Sequence, residues 1–271
     1  SGYVRNPNFY TTNTDAQVVD FAGWTFEGLT YETTNDQDET ETHTGSAKMT
    51  TAASADNPVV TASLNGYGQS AEYKFYQVIE NIPAGEYMVN IQSRTASKNN
   101  PDGDGQYGFF NAQDENGVWD KYIFAQVDDE APIMVPFTVG SYNDQGYATY
   151  IPGIKIKDGQ KLTIGAVEHL VSGKASTHTW NEELGAYEPA AFWDTNTWVR
   201  NATLYFTAPL EGYDYKAAAQ KLANDIETAI ETVEAAPAKQ NGALFNLAGQ
   251  QVDENYKGIV VTADGKKFLQ K

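Results

Sequence analysis

Cysteine is missing from the 271 residues altogether, which excludes disulfide staples, thiolate metal ligands and cysteine nucleophiles. Positive charge is scarce: 18 Lys and Arg stand against 36 Asp and Glu, a formal charge of -18. Such a chain is ill suited to neutralising the phosphates of a nucleic acid. Long apolar runs are lacking too, and no stretch approaches the roughly 20 residues that a membrane-spanning helix requires. Ser1 to Asn6 show no charged start leading into an apolar block, so any export signal is expected to have been removed already. Histidine is limited to His43, His169 and His178, without metal-ligand spacing. Ser63, Ser70, Ser93 and Ser97 stand in no Gly-x-Ser-x-Gly setting, which leaves a catalytic triad unsupported.

What is present is enough to build a sizeable core: 41% hydrophobic and 13% aromatic residues, led by 17 Tyr. Most of the first two hundred residues alternate with period two between turn signals, the pattern of strands. Tyr87, Val89 and Ile91 alternate with Met88, Asn90 and Gln92. Tyr73 and Phe75 do the same before the turn Asn81-Ile82-Pro83-Ala84-Gly85, so the two runs read as an antiparallel pair. Ile133, Val135, Phe137 and Val139 are expected to share a face of one strand, as are Leu162, Ile164 and Ala166, and Ala202, Leu204 and Phe206. Strands without intervening helices predict a mainly β, antiparallel jelly-roll β-sandwich. From Asp214, a candidate N-cap, Leu222, Ile226, Ile230 and Val233 mark one amphipathic helix that Pro237 closes. It is expected to dock along the sandwich or to act as a solvated connector. A small β unit of three strands follows; residues 242–271 carry +1, leaving -19 for residues 1–241. The expected organisation is a sandwich at 1–210, a helical linker at 211–238 and a C-terminal β unit at 239–271.

The opening YVRNPNFY with Gly23-Trp24-Thr25, the segment FYQVIENIPAGEYMVNIQSR at 75–94 and TWVRNATLYF at 197–206 resemble the landmark strands of galactose-binding-like jelly rolls, carbohydrate-binding modules in character. The tail is similar to the C-terminal sorting segments of exported Bacteroidetes proteins. Asn246, Leu247, Gly249, Gln250, Val252, Lys257, Gly258, Gly265, Lys266 and Lys267 carry that likeness. The resemblances imply a secreted, outer-membrane or cell-surface protein whose partner is a polysaccharide or glycan. Related jelly rolls also hold a structural Ca²⁺.

The residues permit these expectations. The segment 172–197 is too long for an ordinary hairpin loop. Within it Trp180 or Trp193, beside Asn181, Glu182 and Asp194, would suit a sugar, whose C–H faces stack on indoles and whose hydroxyls pair with amides and carboxylates; the alternative is that these rings fold the segment back onto the sandwich. Tyr107, Trp119 and Arg94 form a second candidate set, Arg94 either chelating vicinal hydroxyls through its fixed fork of donors or pairing with one of the many surface acids. Trp24, Trp198 and Phe206 read as core. Asp102 and Asp104 in an Asp-x-Asp loop are candidate Ca²⁺ ligands, although Gln113 stands where an EF-hand needs Glu and the same residues serve as a plain turn. The 36 acids single out no glycosidase pair. The leading expectation is a non-catalytic glycan-binding surface protein. The alternatives are a structural or adhesive protein with a cell-envelope protein partner, and a glycoside-processing enzyme.

Overall fold

The computed structural model describes residues 2–34, 37–67, 71–97, 111, 113–139, 148–169, 180–181, 186–187, 195–231, 244–247, 249–253, 255–262 and 267–270. They fall into two compact units, Ser1–Glu211 and Gly212–Lys271.

The first unit is built on β1 (Thr25–Gly28), β2 (Lys48–Met49), β3 (Leu64–Tyr67), β4 (Tyr73–Ile79), β5 (Gly85–Ser97), β6 (Lys121–Val127), β7 (Ile133–Pro136), β8 (Thr138–Val139), β9 (Thr149–Ile156), β10 (Leu162–Glu168) and β11 (Thr195–Ala208). One sheet has the order β7-β6-β10-β4-β1. The other runs β8-β5-β11-β3-β2, with β9 also paired to β5. Pairing is antiparallel except between β8 and β5.

Alternation explains the packing. Tyr73, Phe75, Ile123, Ala125, Leu162, Ile164 and Ala166 from the first sheet meet Tyr87, Val89, Ile91, Ile151, Ile154, Val199, Ala202 and Leu204 from the second, all essentially buried. Two irregularities keep the inner faces in step. At Gly153, with φ +72°, β9 shifts register between Ile151 and Ile154. At Asn201, with φ +49°, β11 bulges so that Val199 and Ala202 both point inward, and the Ala202 amide donates to Pro7 O at 2.8 Å.

An aromatic knot closes one flank. Phe9, Phe21 and Trp24 surround Phe75, with Trp24 stacked on Phe75 at 4.8 Å between centroids. Each such pair contributes about 0.5–1.5 kcal/mol beyond its buried area. The Asn6-Pro7-Asn8-Phe9 motif delivers Phe9: the Asn6 side chain accepts from Tyr10 N and donates to Tyr10 O, both at 2.7 Å. Gln77, 1% exposed, accepts from Arg5 N and donates to Arg5 O and Gly23 O.

Several expectations need correction. The Tyr73 and Tyr87 runs do not pair; β4 and β5 lie in different sheets, and the Asn81–Gly85 turn carries the chain across the core. Inward alternation is the same for a hairpin and for an arch between facing sheets, so the pattern alone does not separate them. Ile133 to Val139 is likewise two strands in two sheets, with Ile133 43% exposed and Phe137 buried. Phe206 is 56% exposed and lies edge-on to Tyr87 at 5.6 Å near the strand end, so it is not core.

In the second unit α1 (Tyr215–Glu231) starts where expected: Asp214 Oδ1 accepts from Ala217 N at 2.9 Å. Over 215–225 only Ala218 is half-buried, and Leu222 is 61% exposed. Val233 and Pro237 lie outside the described residues. The tail forms four strands, not three: β12 (Leu244–Asn246), β13 (Gln251–Val252), β14 (Gly258–Thr262) and β15 (Lys267–Gln270), in the order β13-β12-β14-β15. The added strand arises because Asn246 turns the chain back, its Oδ1 accepting from Gln250 N while Gly249 adopts φ +77°. Among the described residues no helix is long and apolar enough to cross a membrane.

Candidate functional site

The outer face of the six-stranded sheet holds a formed cavity. On β5, Gln92 and Arg94 face away from the core that Val89 and Ile91 enter, and on β11 Trp198 and Arg200 do the same beside Val199. Antiparallel pairing sets Arg94 opposite Trp198 and Gln92 opposite Arg200. The Arg94 guanidinium lies 3.9 Å from the centroid of the Trp198 ring, a cation–π contact. Gln92 Oε1 accepts from Arg200 Nε at 3.1 Å and from Asn201 Nδ2 at 2.8 Å. The bulge explains that convergence, because it lets two successive residues reach one acceptor. Thr50, Thr61, Ala62, Ser63 and Ser93 complete the lining of a cavity of about 430 Å³. Thr50 Oγ1 accepts from Ser63 N at 2.9 Å, which fixes that wall. A smaller cavity of about 270 Å³ lies between Asn6, Tyr10, Thr11, Thr12, Asp20, Ala22 and Val59.

On the inner side of Trp198 the core turns polar. Cross-strand registry lines up Lys121, Glu168 and Tyr73, and Thr197, fully buried, donates to Glu168 Oε2 at 2.6 Å and accepts from Gly66 N at 3.2 Å. Gly66 is required there, since a Cβ would sit 2.3 Å from Glu168 Oε2. His169 Nδ1 pairs with Glu72 Oε2 at 2.5 Å, and the His169 amide donates to Asp120 O. Glu72, Asp120, Lys121 and Glu168 are 3–4% exposed. Burial pushes the Lys121 ammonium below its ordinary value, against the pull of Glu168, Asp120 and Glu72. The hydrogen bond to Glu72 raises His169, partly opposed by burial. Burial raises the Tyr73 phenol, with the Glu168 charge adding to it. These groups could hold protons, but neither cavity above is lined by them. Among the described residues no group of three or more His, Cys, Asp or Glu is arranged to hold a metal ion.

Of the residues expected from sequence, Arg94 is in the cavity, inside a long strand and not at its end. Trp119 is half-buried at a bridge to Gln113 and does not line that cavity. Trp180 and Asn181 form a two-residue strand paired with Tyr187 and Ala186. Trp193, Asp194, Glu182, Tyr107, Asp102, Asp104 and His178 lie outside the described residues. Trp198 is corrected: it is not core but cavity wall, because the inward positions at this end are the small or polar Thr197 and Val199. Gln92, Arg200 and Asn201 were not anticipated, although the alternation of Tyr87, Val89 and Ile91 already placed residue 92 outside. His43 is on a strand, stacked on Tyr31 and bonded to Thr33 Oγ1. His169 is no isolated loop histidine.

No protein-family model and no curated protein matches the sequence. Among solved structures, the chain is similar to TmCBM61, a carbohydrate-binding module in complex with β-1,4-galactotriose. The TM-score is 0.36 and the identity 15%, over 76% of this chain and 98% of that one.

Proposed function

We propose that the protein is a non-catalytic glycan-binding module that takes a sugar on the outer face of its six-stranded sheet. The observation that carries this reading is the cavity of about 430 Å³ in which one indole, two guanidiniums, two amides and several hydroxyls converge. A pyranose uses that set: an aromatic surface for its C–H face and paired donors and acceptors for its hydroxyls. Arg94 and Gln92, held by cation–π and amide contacts, give rigid donors at little ordering cost. Trp180, Asn181, Trp193, Asp194 and Tyr107 belong to the same proposal as further contacts; Trp193 and Asp194 precede Trp198 by only five and four residues. Export to the cell surface is proposed from the likeness of the tail to sorting segments. The buried acids and His169 serve as structural supports for the strand that carries Trp198, since a hydrolase needs its carboxylates open to substrate.

Trp198→Ala tests this. Retention of the protein in affinity gels containing plant or algal polysaccharides is expected to fall by at least tenfold, a typical loss for an aromatic anchor, with the unfolding midpoint little changed. Binding that survives the substitution would move the site elsewhere. A blank glycan panel for the unaltered protein, with capture of one envelope protein, would replace the reading by adhesion.

A further inference from the structure

We infer that the glycan site continues beyond the cavity as a shallow groove along β5, floored by Asn90 and walled by Tyr150 and Tyr205, so that it takes a chain of several sugar residues and not a single one; the inference rests on the glycan-binding reading above. Registry builds the groove. Gln92, at the cavity, stands opposite Arg200, and the next outward positions along β5 are Asn90 and Met88. Asn90 lies opposite Thr203 on β11 and Tyr150 on β9, while Met88 lies opposite Tyr205. The two tyrosines therefore stand on the strands that flank β5, which lie about 10 Å apart, and the run from Gln92 to Met88 adds about 13 Å to the cavity. That length exceeds one pyranose ring.

Tyr150 is 49% exposed and Tyr205 46%, and neither side chain makes a hydrogen bond or ring contact among the described residues. A lone exposed tyrosine is ordinary on a protein surface. Asn90 between them is not ordinary: it is only 8% exposed, yet its side-chain amide has no hydrogen-bond partner among the described residues. The next outward amide on the same strand, Gln92, is fully engaged at its oxygen by Arg200 and Asn201. A mostly buried amide left unmatched is costly, because it has given up water without replacing it. A sugar hydroxyl donates and accepts, and so suits either end of that amide. The tyrosine rings supply the flat apolar surface on which C–H faces rest, each with a phenol for a further hydroxyl.

The test is calorimetric titration of the full chain with fragments of one, two, four and six residues cut from β-1,4-galactan, β-1,4-xylan and β-1,4-mannan, and from any further polysaccharide that the gels retain. In a series that binds, the hexasaccharide is expected to hold about tenfold or more tightly than the disaccharide, the typical worth of an aromatic contact. Combining Tyr150→Ala with Tyr205→Ala should bring the two lengths within about threefold, while the disaccharide affinity, the circular dichroism spectrum and the unfolding midpoint stay as in the parent. Asn90→Leu keeps the volume and removes the amide; it should cut the same length gain without lowering the midpoint. Equal affinity for short and long fragments, or a gain that survives these replacements, would overturn the inference and leave glycan binding standing. Silence from every fragment and from the polysaccharide gels would remove both.

Discussion

Replacing Thr197 by Val keeps the outline of the side chain and deletes one oxygen at the point where the core meets the candidate site. Thr197 is fully buried, donates to Glu168 Oε2 at 2.6 Å and accepts from Gly66 N at 3.2 Å. A hydrogen bond to a charged group contributes about 1.5–3 kcal/mol, and a buried amide left without its acceptor costs about 1–3 kcal/mol. Because the two losses share one site, they will not add fully, and about 3 kcal/mol is expected for Thr197→Val. For a unit of this size that corresponds to a fall in Tm of roughly 6–12 °C. Thr197→Ser keeps the hydroxyl and removes one methyl, so about 1 kcal/mol is expected. Guanidinium unfolding followed by tryptophan emission measures both, and Trp198 sits next in sequence to report locally. A Val variant within about 0.5 kcal/mol of the parent, less than any buried hydrogen bond to a charge, would refute the reasoning, as would a Ser variant as damaged as the Val.

Two further outcomes follow from the same geometry. Gln77→Leu strips partners from Arg5 N, Arg5 O and Gly23 O, and should cost about 3 kcal/mol or more, with amide exchange at Arg5 accelerating first; protection unchanged at Arg5 would contradict it. His169, whose folded pKa is raised chiefly by the hydrogen bond to Glu72, gives stability fully present below the ordinary histidine value of 6.5, and this is lost as pH rises through the raised value. Unfolding midpoints should therefore drop from pH 6 upward through neutrality, and Glu72→Gln should flatten that slope; a slope that survives the substitution would assign it to another group.

Much of the sandwich is written in its alternation. Tyr73 and Phe75, Val89 and Ile91, Leu162 and Ile164 all point inward as their spacing says. Partnership between strands is harder to read, because Pro83 and Gly85 mark a turn equally well in a hairpin and in an arch between sheets. The candidate site was half legible. Arg94 stood out for its chemistry, but its neighbour Trp198 is 104 residues away in sequence and comes beside it only through strand pairing. Trp198 resembled core because it falls on a predicted strand and large aromatics there are usually buried, and only the burial of Thr197 reveals which side of the strand faces in. Glu72, Lys121 and Glu168 could not be recognised as interior, since charged residues are rarely buried unless paired.

The extra residue in β11 has a mechanical meaning. Gln92 and Ile91 face Arg200 and Ala202, so Asn201 is a residue added to an otherwise regular ladder. Removing it would restore plain alternation, with Val199, Ala202 and Leu204 still inward, but would delete the amide that meets Gln92 and the local bend at which the Ala202 amide reaches Pro7 O. One codon thus separates a strand that presents Arg200 and Asn201 together from a plain one that offers Arg200 alone.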